Sequence, residues 1–356
     1  MKQRISDITR LFLVLLASLA VSCADDDGKG EPDPLVPDGP AVRLELAAET
    51  RGEGDEEDAQ DITSVHIYVT TGMTAGEYTE GDFFKMTSGW SSTASVKPDV
   101  NYCIYGYAPA DIGNGGIDFL TDETNYENGA KLSLTSMNPV SASDVGVVVG
   151  VRQVNSLSAA IALGSSDITK GNFDYVGQED GENFVCLKLA HLYAAIEIKA
   201  SVGAKYDELR TIKIRKMELR SDYAKPTAVV TLTKGVGVSD IEWTGFTSGG
   251  PTVSATLFDS DETDETKPDP IVLNPTAAQK ISTGYLVGGQ KIKLATTYDI
   301  LDKAANVIRS NCTAVNQLDL SALAYGQKMT ITLQVAPTYL YQLSDADPDN
   351  PTIVTE

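Results

Sequence analysis

The chain has 356 residues, with 50 acidic against 28 basic side chains and a formal charge of −22. A surface this acidic repels phosphate backbones and anionic headgroups, which argues against nucleic acid as a partner and against polybasic docking to a membrane; the charge reads as solubility. The length suffices for two domains of ordinary size. At the start, Lys2, Arg4 and Arg10 precede an apolar run from Leu11 to Val21. That run is too short to span a bilayer and has the shape of a signal-peptide core.

The run closes on Leu19-Ala20-Val21-Ser22-Cys23, followed by Asp25, Asp26 and Asp27. Small residues ahead of a cysteine resemble a bacterial lipobox, in which the Cys23 thiol takes a diacylglycerol and becomes the mature N-terminus. Two or more acyl chains anchor a protein stably, since each buried methylene contributes about 0.8 kcal/mol. An ordinary secretory signal with an incidental cysteine is the other reading. The acidic run after Cys23 resembles the signal that sends lipoproteins of the Bacteroidetes to the cell surface. Residues 1–22 are therefore expected to be a lipoprotein signal peptide. Residues 23–41 are rich in Asp, Gly and Pro, a composition that cannot bury enough surface to fold and reads as a flexible tether.

Ordered structure is expected from Val42. Val42, Leu44, Leu46 and Ala48 alternate with Arg43, Glu45, Ala47 and Glu49, the period of a half-buried strand. Thr50-Arg51-Gly52 opens an acidic loop that ends near Asp61, and Ile62 to Val69 alternates again. Further strands are predicted at 83–87, 92–96, 102–108, 131–134, 145–151, 159–163, 186–189, 194–201, 209–219, 228–233, 252–258, 279–286, 291–299, 307–311 and 328–335. Short helical turns are predicted near 111–120 and 318–325. Gly, Pro, Asn and Asp clusters separate the runs, and such spacing indicates an all-β sandwich architecture. A polar loop at 177–184 suggests a boundary, giving domains at 42–180 and 181–356. Residues 259–270 read as an acidic surface loop.

Chemistry is sparse. Cys103, Cys186 and Cys312 are odd in number and widely spaced, so neither a disulfide framework nor a zinc site is indicated, and buried free thiols are expected. His66 sits in an alternating strand and His191 in an apolar run; their spacing suits no metal, and each reads as packed or hydrogen bonded. No GxSxG elbow and no phosphate loop is present. The carboxylates concentrate in loops, where they are solvated, although a glycosidase pair needs only proximity in space. Asp345, Asp347 and Asp349 alternate as in a calcium loop, yet the loop glycine and closing glutamate are missing, so a turn is expected. Asn311-Cys312-Thr313 matches a glycosylation triplet that means little in a bacterial lipoprotein. Trp90, Trp243 and the fifteen Tyr include candidates for sugar stacking, but a sandwich core absorbs most aromatics. Neither cofactor nor metal is implied.

Several pieces together resemble the fimbrillin-like family, lipoprotein subunits of the type V pili of Bacteroidetes. They are the Cys23 lipobox, the strand from Val42 to Glu49 ending at Thr50-Arg51, and Ile62-Thr63-Ser64-Val65-His66-Ile67-Tyr68-Val69. Tyr102-Cys103-Ile104-Tyr105-Gly106-Tyr107-Ala108 and Leu187-Lys188-Leu189-Ala190-His191-Leu192-Tyr193-Ala194-Ala195-Ile196-Glu197-Ile198 follow. Leu323-Ala324-Tyr325-Gly326-Gln327-Lys328 leads into the final strand. The resemblance implies two transthyretin-like β-sandwich domains in tandem, export to the outer membrane as a lipoprotein, and a cut after Arg51 by a trypsin-like protease. The first strand, with Val42, Leu44, Leu46 and Ala48 as its inward residues, then leaves, and a strand of another subunit takes its groove. Implied partners are other pilin subunits, the outer membrane through the lipid, and a host or bacterial surface ligand. Gly52-Glu53 after Arg51 and Pro337 in the tail depart from the pattern. A surface lipoprotein that binds glycan or host protein without polymerising is the binding-class alternative, and a surface glycosidase or peptidase the enzyme-class one.

Overall fold

A computed structural model describes residues 41–51, 62–71, 77–87, 89–112, 116–121, 125–161 and 165–335. The first half of the chain forms β1 (Val42–Arg43), β2 (Glu45–Arg51), β3 (Ser64–Thr70), β4 (Thr79–Met86), β5 (Gly89–Ser92), β6 (Ser95–Val96), β7 (Asn101–Ala108), β8 (Ile117–Thr121), β9 (Gly129–Leu134), β10 (Val140–Ser141), β11 (Gly146–Val154), α1 (Leu157–Ile161) and β12 (Asp174–Val176). After these come β13 (Phe184–His191), β14 (Ala194–Val202), α2 (Ala204–Asp207), β15 (Thr211–Tyr223), β16 (Thr227–Thr233), β17 (Gly237–Thr244), β18 (Ser248–Asp259), β19 (Ile271–Val272), β20 (Gln279–Leu286), β21 (Gln290–Leu301), β22 (Val307–Leu320) and β23 (Lys328–Val335). The protein is all-β, as the alternation predicts.

The largest sheet has the order β2-β13-β11-β7-β3-β4-β5, with β12 added to β7. It curls enough that β2 and β5, at opposite ends of this path, touch. Its inner face carries Leu46, Val65, Ile67, Phe83, Ile104, Val148, Val185 and Leu187, all buried in one core together with Leu44, which precedes β2. On the outer face, Tyr68, Tyr105, Tyr107, Val147 and Val149 pack against Leu132, Leu134, Val230 and Leu232. Those partners belong to a second sheet, β17-β16-β9-β8. Successive residues of β7 thus enter opposite cores, because side chains alternate across a strand. A third sheet, β10-β20-β14-β23, lies over a fourth, β18-β15-β21-β22. Ile196, Ile198 and Leu286 meet Met217, Leu219, Ile292 and Leu294 between them. Pairing crosses residue 180 four times, at β2 with β13, β9 with β16, β10 with β20 and β11 with β13.

Two pairings are parallel, β2 with β13 and β14 with β23; the others among the described residues are antiparallel. β2 and β23 therefore lie on consecutive strands of the chain, β13 and β14, and each is an edge of its sheet.

Several local expectations are corrected. Of the strand expected at 159–163, the described residues 159–161 belong instead to α1, which occupies Leu157–Ile161. The Ser156 hydroxyl accepts the Ala159 amide at 3.2 Å, as an N-cap does, and Leu and Ala favour the helix. The turn predicted at 111–120 gives way to β8, whose Phe119 is buried face to face between Tyr68 at 4.2 Å and Tyr126 at 4.7 Å. No helix forms at 318–325 either. β22 runs on to Leu320, and a turn follows in which Asp319 accepts the Ser321 amide at 3.2 Å. β17 escaped prediction because Ser239 is an extra residue opposite β16, so Val238 and Ile241 fall out of period two. Residues 1–40 and 336–356, which include Cys23 and the Asp345 to Asp349 run, lie outside the described residues.

Candidate functional site

The segment Val42–Arg51 bridges β6 and the edge of the largest sheet at β13. Its first residues pair antiparallel with β6, Val42 opposite Val96 and Arg43 opposite Ser95. The Leu44 amide then donates to the Ala94 carbonyl at 3.0 Å, and the next amide, of Glu45, donates to the Asn183 carbonyl at 2.7 Å. From there the segment runs parallel to β13, with Leu46 opposite Val185 and Arg51 opposite Leu189. The Leu44 and Leu46 side chains are buried and Val42 is half-buried against the same core. Fully burying a leucine is worth about 1.5–3 kcal/mol, and each ladder bond adds about 1 kcal/mol.

Between Leu46 and Ala48 the register slips, so Ala47 has no counterpart in β13 and Ala48 lies opposite Cys186. The period-two face runs from Val42 through Leu46 and is interrupted there. Arg51 is the last residue of β2, not the first of a loop; residues 52–61 lie outside the described residues.

Asn183 organises the edge that receives Glu45. Its side-chain carbonyl accepts the Gln178 amide at 2.8 Å and the Tyr175 hydroxyl at 3.2 Å. Its amide donates to the carbonyls of Gln178 at 2.7 Å and Glu179 at 2.9 Å. Every polar atom of this buried side chain is thus used. Burial pushes the Tyr175 hydroxyl well above its ordinary pKa, so it stays a donor. On the other edge, Gly81 leaves room for Ala94: a Cβ there would stand 2.5 Å from the Ala94 Cα. Sequence reasoning missed Asn183, Ala94 and Gly81. A polar loop flagged the region of Asn183, but nothing in the pattern marks a backbone carbonyl as an acceptor.

Other candidates occupy structural positions. His66 Nδ1 lies 2.7 Å from Asp82 Oδ1, and His191 bonds Asp144. Cys103, Cys186 and Cys312 are free; the first two are buried and the third is half-buried. Burial, reinforced by Asp174, pushes the Cys103 thiol up to about 12, which suppresses the reactive thiolate. Trp90 packs against the core of the first strand, while Trp243 stacks on Tyr193 with centroids 6.3 Å apart. Among the described residues, no group of three or more His, Cys, Asp or Glu side chains is placed to hold a metal. Nor is any described helix long and apolar enough to cross a membrane.

No family model matches the chain, and no curated protein matches it. Among solved structures, the chain is similar to a fimbrial protein from Bacteroides vulgatus at 14% identity and a TM-score of 0.44, over 82% of this chain and 94% of that one. It is also similar to a "putative cell adhesion protein" from Bacteroides fragilis at 11% identity and a TM-score of 0.38, over 83% and 94% of the two chains. A third, of the same description and from Bacteroides ovatus, has 11% identity and a TM-score of 0.37 over 83% and 93%.

Proposed function

We propose that this chain is a structural subunit of a surface fimbria, of the fimbrillin-like kind that its sequence resembles, and that it joins other subunits by strand exchange. The observation that carries the reading is the placement of Val42–Arg51. One short segment pairs with β6 and with the edge of β13, buries two leucines between them, and ends at an arginine. A cut after Arg51 would sever β1 and β2 together from the rest of the chain, so that they can leave as one segment. Once they leave, the outer edge of Phe184–Leu189, whose other side stays paired with β11, and the backbone of Ala94 to Val96 would lack a partner strand around an apolar opening. An exposed edge of that kind is a template for another strand, and β-strand addition is the chemistry that satisfies it.

The rest of the proposal follows from the sequence. Cys23 carries lipid and holds the precursor on the outer membrane, facing outward. Two transthyretin-like domains form the body of the subunit, the first completed by β13, β16 and β17 from beyond residue 180. Partners are other pilin subunits and a ligand on a host or bacterial surface, and the role is adhesion without catalysis.

N-terminal sequencing of protein recovered from the cell surface, beside an unboiled SDS gel, tests the reading. A mature start at Gly52 with a ladder of polymers is expected. A chain that still begins at lipidated Cys23 and runs as one monomer band would overturn it in favour of a surface-binding lipoprotein.

A further inference from the structure

The first strand is held unevenly along its length. Over Val42 to Leu46 it is bonded to both edges: Val42 and Arg43 to β6, the Leu44 amide to Ala94, the Glu45 amide to Asn183. Its two buried leucines fall in the same stretch. Past the slip at Ala47, the positions Ala48, Glu49, Thr50 and Arg51 pair with β13 alone among the described pairings.

Such a strand separates in stages. The free end of a single-edge ladder opens locally at low free energy, whereas opening the inner part exposes core. A bulge leaves one residue unpaired and disrupts the ladder at that point, so opening of the last four residues can stop at Ala47. Leu44 and Leu46 remain covered while it does.

We propose that a cut after Arg51 does not by itself free the first strand. Val42 to Leu46 stays seated, and Ala48 to Arg51 becomes an end that opens and closes. A replacing strand enters on β13 at Leu187 to Leu189, displaces Leu46 next and Leu44 last. The inference rests on the cleavage and exchange proposed above. The cut is hydrolysis by an external protease: water adds across the Arg51–Gly52 bond, leaving a carboxylate on Arg51 and an amine on Gly52. The nicked subunit is thereby a closed storage form whose apolar opening is never bare, and exchange waits for a competing strand.

The test uses the full mature chain with a site-specific protease sequence placed within residues 54–60. After cutting, two pieces are expected on a denaturing gel but one particle of unchanged mass by native mass spectrometry after gel filtration. In the nicked protein, Leu44→Ala should speed loss of the strand by on the order of thirtyfold. A labelled peptide of residues 42–51 should replace the seated strand about tenfold faster than one of residues 42–47, the worth of one or two ladder bonds. By hydrogen exchange, the amides of Ala48 to Arg51 should exchange well before those of Leu44 and Glu45. Loss of the strand on cutting, equal rates for the two peptides, or uniform protection along the strand would each overturn the inference. A nicked particle that keeps and exchanges its strand, from cells bearing no polymers, would support this inference and sink the fimbrial reading. Polymers on cells, with immediate loss of the cut strand, would do the reverse.

Discussion

The Glu45 amide and the Asn183 carbonyl, 2.7 Å apart, fasten the first strand to the edge of β13, while the preceding amide of Leu44 reaches the opposite edge at Ala94. Consecutive amides of an extended chain point in opposite directions. One two-residue step therefore suffices to tie two edges together, provided both carbonyls are held where the amides fall. Asn183 and Gly81 do the holding, one through hydrogen bonds and the other by having no side chain.

Asn183→Ala removes four side-chain hydrogen bonds and leaves the buried Tyr175 hydroxyl and the half-buried Gln178 amide without their acceptor. The expected loss is about 2–4 kcal/mol, from roughly 1 kcal/mol per bond plus the cost of an unsatisfied buried group. Asn183→Asp keeps the acceptor but sets a carboxylate against the carbonyls of Gln178 and Glu179, so it should rescue little. Urea denaturation of both variants measures this. A loss below about 0.5 kcal/mol for Asn183→Ala, the range of an ordinary surface change, would show that the loop is held by other means.

Gly81→Ala tests the other edge. The new Cβ would sit 2.5 Å from both Ala94 Cα and Ala94 Cβ, so the Ala94 backbone must move, and its carbonyl with it. Overpacking of this kind costs about 1–3 kcal/mol. In hydrogen exchange the Leu44 amide should lose protection more than the Glu45 amide does, since only the former is bonded to Ala94. Equal changes at the two amides would mean that the edges do not hold the strand independently.

Acid weakens the fourth sheet and its neighbour in a defined window. Side-chain hydrogen bonds from Lys216 and Arg220, at 2.8 and 2.7 Å, hold the Glu218 carboxyl below its ordinary pKa. The bond from Lys199, at 2.8 Å, does the same for Glu197. A depressed folded pKa means that the unfolded chain binds the proton first. The stability these pairs give is full above the unfolded value of about 4.3 and is lost as pH falls through the lower folded value. Glu218→Gln should cost about 0.3–1 kcal/mol at pH 7, the range of surface pairs, and progressively less as the pH falls below about 4.3. A cost that stays constant across this range in pH-dependent urea titrations would assign it to packing instead.

Much of this was legible because burial on one face writes alternation into a strand. β14 and β16 alternate along their whole length, and both were predicted. β17 was hidden by the extra Ser239, and β8 by its brevity and by having one buried residue, Phe119, whose place depends on rings from distant segments such as Tyr68 and Tyr105. At the candidate site, Val42, Leu44 and Leu46 were readable as one face. The slip at Ala47 was not, since register depends on the partner strand. The roles of Ala94 and Asn183 were invisible for a different reason: each accepts through its main-chain carbonyl, a group every residue has. Parallel pairing of β2 with β13 likewise joins residues about 140 positions apart, which no local periodicity can encode.

The opening beneath the first strand is the feature with the sharpest test. Leu44 is fully buried. Leu44→Ala should cost about 2–5 kcal/mol through the lost burial and the cavity left behind. Leu44→Asp should cost more, because an unpaired carboxylate enters an apolar core. Each variant weakens its own first strand while leaving the lining of the opening, Val185 and Leu187 among it, intact. A wild-type peptide of residues 42–51 should then compete with the damaged strand and stabilise either variant, by about 2.7 kcal/mol at a hundred times its dissociation constant. Wild-type protein, whose own strand is tethered and undamaged, should respond far less. A peptide with both Leu44 and Leu46 changed to Asp should have no effect on any of the three. Thermal melts at rising peptide concentration read this out directly. If the Tm of Leu44→Asp does not move with wild-type peptide while the variant remains folded, the opening does not accept a strand in trans, and exchange at this edge is excluded.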